Sequence, residues 1–151
     1  MLAIVIDDAH LMALDALRKI RLLLEDFPKN HNLVLIAQPE FLGNLALSVN
    51  EDIKSRVTYS ATLQKLAPDD IEVFIKDQLD RVALAHSTFT PEAMGLIARS
   101  SEGALRSAKN LCMGALLEAV RDRTRVVDLK QVNRVLLQPH WRRRDVNAMS
   151  G

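Results

Sequence analysis

Two adjacent carboxylates, Asp7 and Asp8, follow directly on an apolar run, Leu2-Ala3-Ile4-Val5-Ile6. A short run of this composition reads as a strand covered on both faces, the kind found in parallel sheets. In open α/β sheets, ligands gather at the carboxyl ends of such strands. Two carboxylates there suit a hard cation such as Mg²⁺. They equally suit solvated loop acids or the cap of a following helix, and spacing alone leaves both readings open. His10, His31, His86 and His140 show no ligand spacing with one another or with Cys112, so packing or surface roles are expected of them. Cys112 lies on an apolar stripe and reads as a small core residue. Trp141 with Arg142, Arg143 and Arg144 places a stacking ring beside a charge cluster. Such a tail suits nucleic-acid contact, and more often is only a solvated end.

The elements that position these groups follow from periodicity. Leu14, Leu17, Ile20, Leu24 and Phe27 recur at helical spacing, predicting a helix over residues 11–27 that Pro28 and Asn30 close. Leu33 to Ala37 is a second buried-type strand, ended by Gln38-Pro39. A short helix is expected over residues 41–47, and the loose alternation from Val57 to Leu63 reads as a third strand. After Leu66-Ala67-Pro68 everything reads helical. Pro68-Asp69-Asp70 is a helix start, with acids near the positive end of the dipole. Thr90-Pro91-Glu92 is another, with a hydroxyl cap. Gly103 punctuates, and a longer stripe runs through Leu105, Ala108, Cys112, Ala115 and Ala119. Asp128-Leu129-Lys130-Gln131 has capping-box spacing and opens a fourth helix. The tail from Gln138 is expected to fray.

Composition bounds the rest. The 151 residues suffice for one ordinary domain or two small units. Apolar residues make up 48% but aromatics only 4%, so the core must be built of aliphatic side chains. The net charge of +1 predicts no particular partner. One cysteine excludes an internal disulfide framework and fits a reducing compartment. No apolar run reaches the ~18 residues of a membrane span. Residues 1–6 lack the basic flank and cleavage site of a signal peptide. A cytoplasmic setting is expected.

Two families place an acidic pair at such a strand end. The response-regulator receiver domain opens in a way that resembles Ile4-Val5-Ile6-Asp7-Asp8-Ala9-His10. A receiver also needs an acceptor Asp at the end of a later strand, and here the second strand ends in Gln38-Pro39. The alternating βα pattern also stops near residue 63, so this resemblance fails after its first strand.

The second family is the AAA+ ATPases, in the branch that contains general secretion pathway protein A and the ATPase subunits of transposition systems. The resemblance runs over nearly the whole chain. It takes in Ile4-Val5-Ile6-Asp7-Asp8-Ala9-His10, Val34-Leu35-Ile36-Ala37-Gln38-Pro39, Arg56-Val57 and Leu66-Ala67-Pro68-Asp69-Asp70. It continues through Phe89-Thr90-Pro91-Glu92, Ser101-Glu102-Gly103-Ala104-Leu105-Arg106 and Val127-Asp128-Leu129-Lys130-Gln131-Val132. Each piece is weak alone, and their order and spacing make the signal. The implied fold is α/β, a partial P-loop NTPase parallel sheet, followed by an all-α four-helix lid. The implied organisation is residues 1–66 as the partial core, 67–138 as the lid and 139–151 as a flexible basic tail.

The resemblance implies a role for each site residue. Asp7 is the Walker B acid that holds Mg²⁺. Asp8 stands where the family has Glu to orient the attacking water, and its shorter reach puts the full hydrolytic rate in doubt. Gln38 falls at the sensor-1 position, or is a plain turn residue before Pro39. Arg56 matches the arginine that reaches a neighbouring subunit's nucleotide, with Lys54 as a competitor and a surface arginine as the bland reading. Arg106 matches sensor 2, swinging with the lid onto the phosphates, against an ordinary solvated charge. The implied cofactors are Mg²⁺ and ATP.

No G-x-x-x-x-G-K-[ST] loop occurs; none of Gly43, Gly95, Gly103, Gly114 and Gly151 begins one. In the family that loop precedes Walker B, which suggests a fragment or a degenerate chain unable to hydrolyse ATP by itself. The family's P-loop strand lies between this chain's second and third strands, so a gap or exposed edges should result, and self-association as a dimer or a rearranged sheet is expected. Regulation of DNA transposition, with DNA or transposase as partner, and assembly of secretion machinery are the functions implied. A non-catalytic helical interaction module on an AAA+ lid scaffold is the alternative.

Overall fold

The computed structural model describes residues 2–25 and 31–141. The chain divides into two compact units, Met1–Leu63 and Gln64–Gly151.

The first unit opens with strand β1, Leu2–Ile6. A 3-10 turn over Ala9–Leu11 and helix α1, Leu14–Glu25, lead to strand β2, His31–Leu35. β1 and β2 pair in parallel, with Ile4 opposite Leu33 and Ile6 opposite Leu35. The ladder runs past the strands: Ile36 N donates to Ile6 O at 2.9 Å, and Ala9 N donates to Ile36 O at 2.9 Å. Helix α2, Glu40–Ala46, a 3-10 turn over Ser48–Asn50 and helix α3, Glu51–Lys54, complete the unit. Its core is Ala9, Leu17, Phe41 and Leu45, with Ile6, Leu35 and Ile53 packed against it.

Three expectations are corrected here. The apolar strands are covered on one face only. Val5 and Val34, opposite each other in the register, remain 58% and 44% exposed. The predicted third strand does not form: residues 57–63 are exposed and carry no strand. A strand exists through its ladder, and this segment finds no partner among the described residues. The predicted helix over 11–27 begins at Leu14 instead, because the 3-10 turn takes Ala9–Leu11 and Met12 is extended. Its expected end at Phe27, Pro28 and Asn30 lies outside the described residues.

The second unit is helical, with α4 (Pro68–Arg81), α5 (Pro91–Ser100), α6 (Leu105–Arg121) and α7 (Leu129–Leu136). Its local signals act as the sequence indicates. Thr90 Oγ1 accepts from Ala93 N at 3.2 Å and caps α5. Asp128 and Gln131 close a reciprocal capping box on α7. The segments entering α5 and α7 are pinned by a parallel bridge between Phe89 and Val127. Ile71, Ile97, Leu111, Val127 and Val132 are fully buried at the centre. Trp141, expected in the loose tail, is half-buried against this core. Arg142, Arg143 and Arg144 lie outside the described residues.

Candidate functional site

The carboxyl end of the two-stranded sheet gathers the candidates of the first unit. β1 delivers Asp7 into a turn, where its Oδ1 accepts the backbone N–H of Asp8 at 2.8 Å. Asp8 sits in the left-handed region, φ 52° and ψ 34°, a conformation Asp tolerates better than most residues. It occupies the cap position of the 3-10 turn, yet its side chain makes no capping bond. That removes the helix-cap reading. Both side chains are exposed.

Gln38 follows β2 at the same end of the ladder, and its backbone N–H donates to His10 Nδ1 at 3.4 Å. Its carbonyl accepts from Phe41 N at 3.0 Å, so it also starts α2. The turn role and the strand-end position therefore coexist in one residue. The fold brings Asp7, Asp8, His10 and Gln38 to one end of the sheet. His10 was expected to play an ordinary packing or surface role; here it ties the ends of the two strands together.

Asp7 and Asp8 offer carboxylate oxygens to solvent, a donor set suited to a magnesium ion that keeps most of its waters and takes phosphate oxygens. Among the described residues no group of three or more His, Cys, Asp or Glu is placed to cage an ion.

Arg56 stands on the turn that ends α3, with its N–H on Ile53 O at 3.1 Å. A strand start was expected there, and no strand follows. Lys54, its competitor, is engaged with Glu51 at 3.4 Å. The segment that carries Arg56 is held by a residue the sequence reading missed. Arg18, on α1, donates to Asp52 Oδ2 at 3.1 Å, Asp15 Oδ1 at 2.8 Å, Val49 O at 2.8 Å and Asn50 Oδ1 at 2.9 Å. Hydrogen bonds to Asp52 and then Asp15 hold the guanidinium above its ordinary range. Asn50, 1% exposed, passes the tie on by donating to Asn44 O at 2.7 Å. Only the i, i+3 spacing of Asp15 and Arg18 hinted at this cluster.

Arg106 belongs to the second unit, in the first turn of α6, and is exposed. Among the described residues its guanidinium has no hydrogen bond or ion pair. The turn before it is fixed by Gly103, at φ +77°. Cys112, by contrast, faces the core, and burial pushes its thiol up to about 12, so it is no nucleophile at neutral pH.

No protein-family model matches the chain. It is 28% identical over 119 residues to General secretion pathway protein A of Aeromonas hydrophila, a match over 77% of this chain and 22% of that protein. Among solved structures it resembles a lysine-to-arginine mutant of RuvB from Thermotoga maritima. The TM-score is 0.68 at 18% identity, over 89% of this chain and 43% of the RuvB chain. The chain therefore spans about a fifth of the first relative and under half of the second. A short parallel sheet followed by a helical unit, with a structural likeness over 89% of the chain and a sequence likeness over 77% of it, gives this chain the fold of the C-terminal part of an AAA+ ATPase.

Proposed function

We propose that this chain is the Walker B-to-lid portion of an AAA+ ATPase that acts in DNA transposition or in the assembly of secretion machinery. The observation that carries the nucleotide reading is the convergence of Asp7, Asp8 and Gln38 at one end of the ladder. In this reading Asp7 holds Mg²⁺, which with ATP supplies the charge neutralisation and the phosphoryl group. Asp8 orients water, and Gln38 hydrogen-bonds the terminal phosphate. Arg56 reaches a neighbouring subunit's nucleotide, and Arg106 carries lid position to the phosphates. The arrangement of residues 1–66 as core, 67–138 as lid and 139–151 as basic tail belongs to the same reading. So do a cytoplasmic setting and contact of the parent protein with DNA or transposase. No helix among the described residues is long and apolar enough to cross a membrane.

Without a G-x-x-x-x-G-K-[ST] loop, the β- and γ-phosphates lack their usual backbone cradle and lysine. The chain alone is expected to bind ATP weakly and not to hydrolyse it. Self-association is expected from the sheet, whose Val5–Val34 face and free edges lack cover among the described residues. The test is amide NMR with Mn²⁺-ADP, with Mn²⁺ standing in for Mg²⁺. Broadening confined to Asp7, Asp8, His10 and Gln38, and abolished by Asp7→Asn, is the expected result. Broadening centred elsewhere, or unchanged in the variant, overturns the metal assignment. Tight ATP binding by calorimetry overturns the inactivity of the isolated chain.

A further inference from the structure

The helical unit shows solvent two faces of opposite character. The face of α6 turned away from the core carries Lys109, then Met113, Leu117 and Val120, which are 55%, 59% and 72% exposed. Spacings of four and three place these apolar residues in one stripe. Beyond it the loop to α7 carries Arg123 and Arg125, exposed and without an ion pair among the described residues. The exposed face of α4 has the complementary pattern. Asp69 and Asp70 come first, then Val73 at 66% exposure, then Asp77 and Asp80. Asp77 is shared with Arg81 at 2.9 Å and Asp80 with His86 at 2.8 Å, both at exposed positions. Half-buried Lys76 is the other cation of that helix. The two helices have 14 and 17 residues, about 21 and 26 Å long, so the faces match in length.

We infer that the basic and apolar face of α6 docks on the acidic face of α4 in a second copy of this chain. A basic–apolar–basic surface meets an acidic–apolar–acidic one, so the occupant is specified by charge complementarity within the sequence itself. The two patches are different surfaces of one unit, so the contact is head-to-tail and propagates to further copies. Helix on helix is a small interface, hence a weak and salt-sensitive one. This contact is separate from the self-association expected of the sheet, and the α4 and α6 variants report on it alone. It does not involve the nucleotide site, whose Mn²⁺ test fails or succeeds separately.

Two variants of the full chain test it by sedimentation velocity. Lys109→Glu with Leu117→Glu spoils only the α6 face, and Val73→Lys with Asp77→Lys spoils only the α4 face. All four positions are exposed, and thermal melting checks that both variants fold. The wild type should sediment faster with rising concentration at about 0.01 M salt and lose that trend at about 1 M. Each variant alone should associate about tenfold or more weakly. Mixed, the variants should recover pairing, since one intact α4 face meets one intact α6 face. A wild type that stays monomeric at low salt overturns the inference. So do variants that assemble like the wild type, or a mixture that fails to pair.

Discussion

Gly103 lies against Leu66 with no room for a side chain. Leu66 N donates to Gly103 O at 3.2 Å, and a Cβ on Gly103 would come within 2.6 Å of Leu66 O. The entry to the helical unit is thereby fixed to the turn between α5 and α6, three residues before Arg106. Lys65 and Glu102, at 3.9 Å, flank the same junction.

Gly103→Ala should therefore destabilise the chain by about 1–3 kcal/mol, through the positive φ of +77° and the backbone overlap together. Urea unfolding measures it. Gly43→Ala is the control, since a Cβ there meets nothing within 4 Å. Equal stability of the two variants would show that the junction relaxes without cost.

Arg18 should govern the segment from Ser48 to Arg56 without governing the sheet. Arg18→Ala removes the donors to Val49, Asn50 and Asp52. Hydrogen exchange at residues 48–57 should then quicken severalfold while β1 and β2 keep their protection. Arg18→Lys should not restore it, because one ammonium cannot span acceptors arranged around a planar fork. Full protection in Arg18→Lys would reduce the cluster to a simple charge effect.

What the sequence discloses and what it hides divide along the range of the interaction. The caps at Thr90 and Asp128 are legible because donor and acceptor lie three residues apart. The lid helices are legible because Ile71, Ile75 and Leu79, or Ala108, Leu111 and Ala115, repeat at helical spacing onto one core. The Asp7-Asp8 pair is legible as a strand end but not as a site, since the bond joining His10 to Gln38 spans 28 residues. Arg18 is hidden for the same reason, its partners Val49, Asn50 and Asp52 lying 31 to 34 residues away. Val57–Leu63 misleads because alternation describes a face and cannot supply a neighbouring strand.

Cys112 should be nearly unreactive in the folded chain. With its thiol pushed up to about 12 by burial, the thiolate fraction at pH 8 falls roughly three orders of magnitude below that of an ordinary cysteine. Labelling with a chromogenic disulfide should be slow in buffer and fast in denaturant. Equal rates would place Cys112 in solvent and off the α6 core stripe.

Acid should attack the helical unit at the junction of α6 and α7. Asp122 accepts from Arg134 at 2.7 Å and from Gln131 at 2.9 Å, and Lys130 approaches to 3.5 Å. The hydrogen bond from Arg134, first among these, holds the carboxyl below its usual range. A depressed folded-state pKa means that the unfolded chain binds the proton first. The stabilisation is therefore complete above the unfolded value of about 4 and is lost as pH falls through the lower folded value. Arg134 also approaches the buried Glu118 at 3.5 Å, so losing Asp122 leaves the guanidinium one weaker partner. Asp122→Asn should lower the urea midpoint at neutral pH and flatten its decline below about pH 4. A variant whose midpoint falls with acid as steeply as the wild type's would assign that acid sensitivity to other carboxylates.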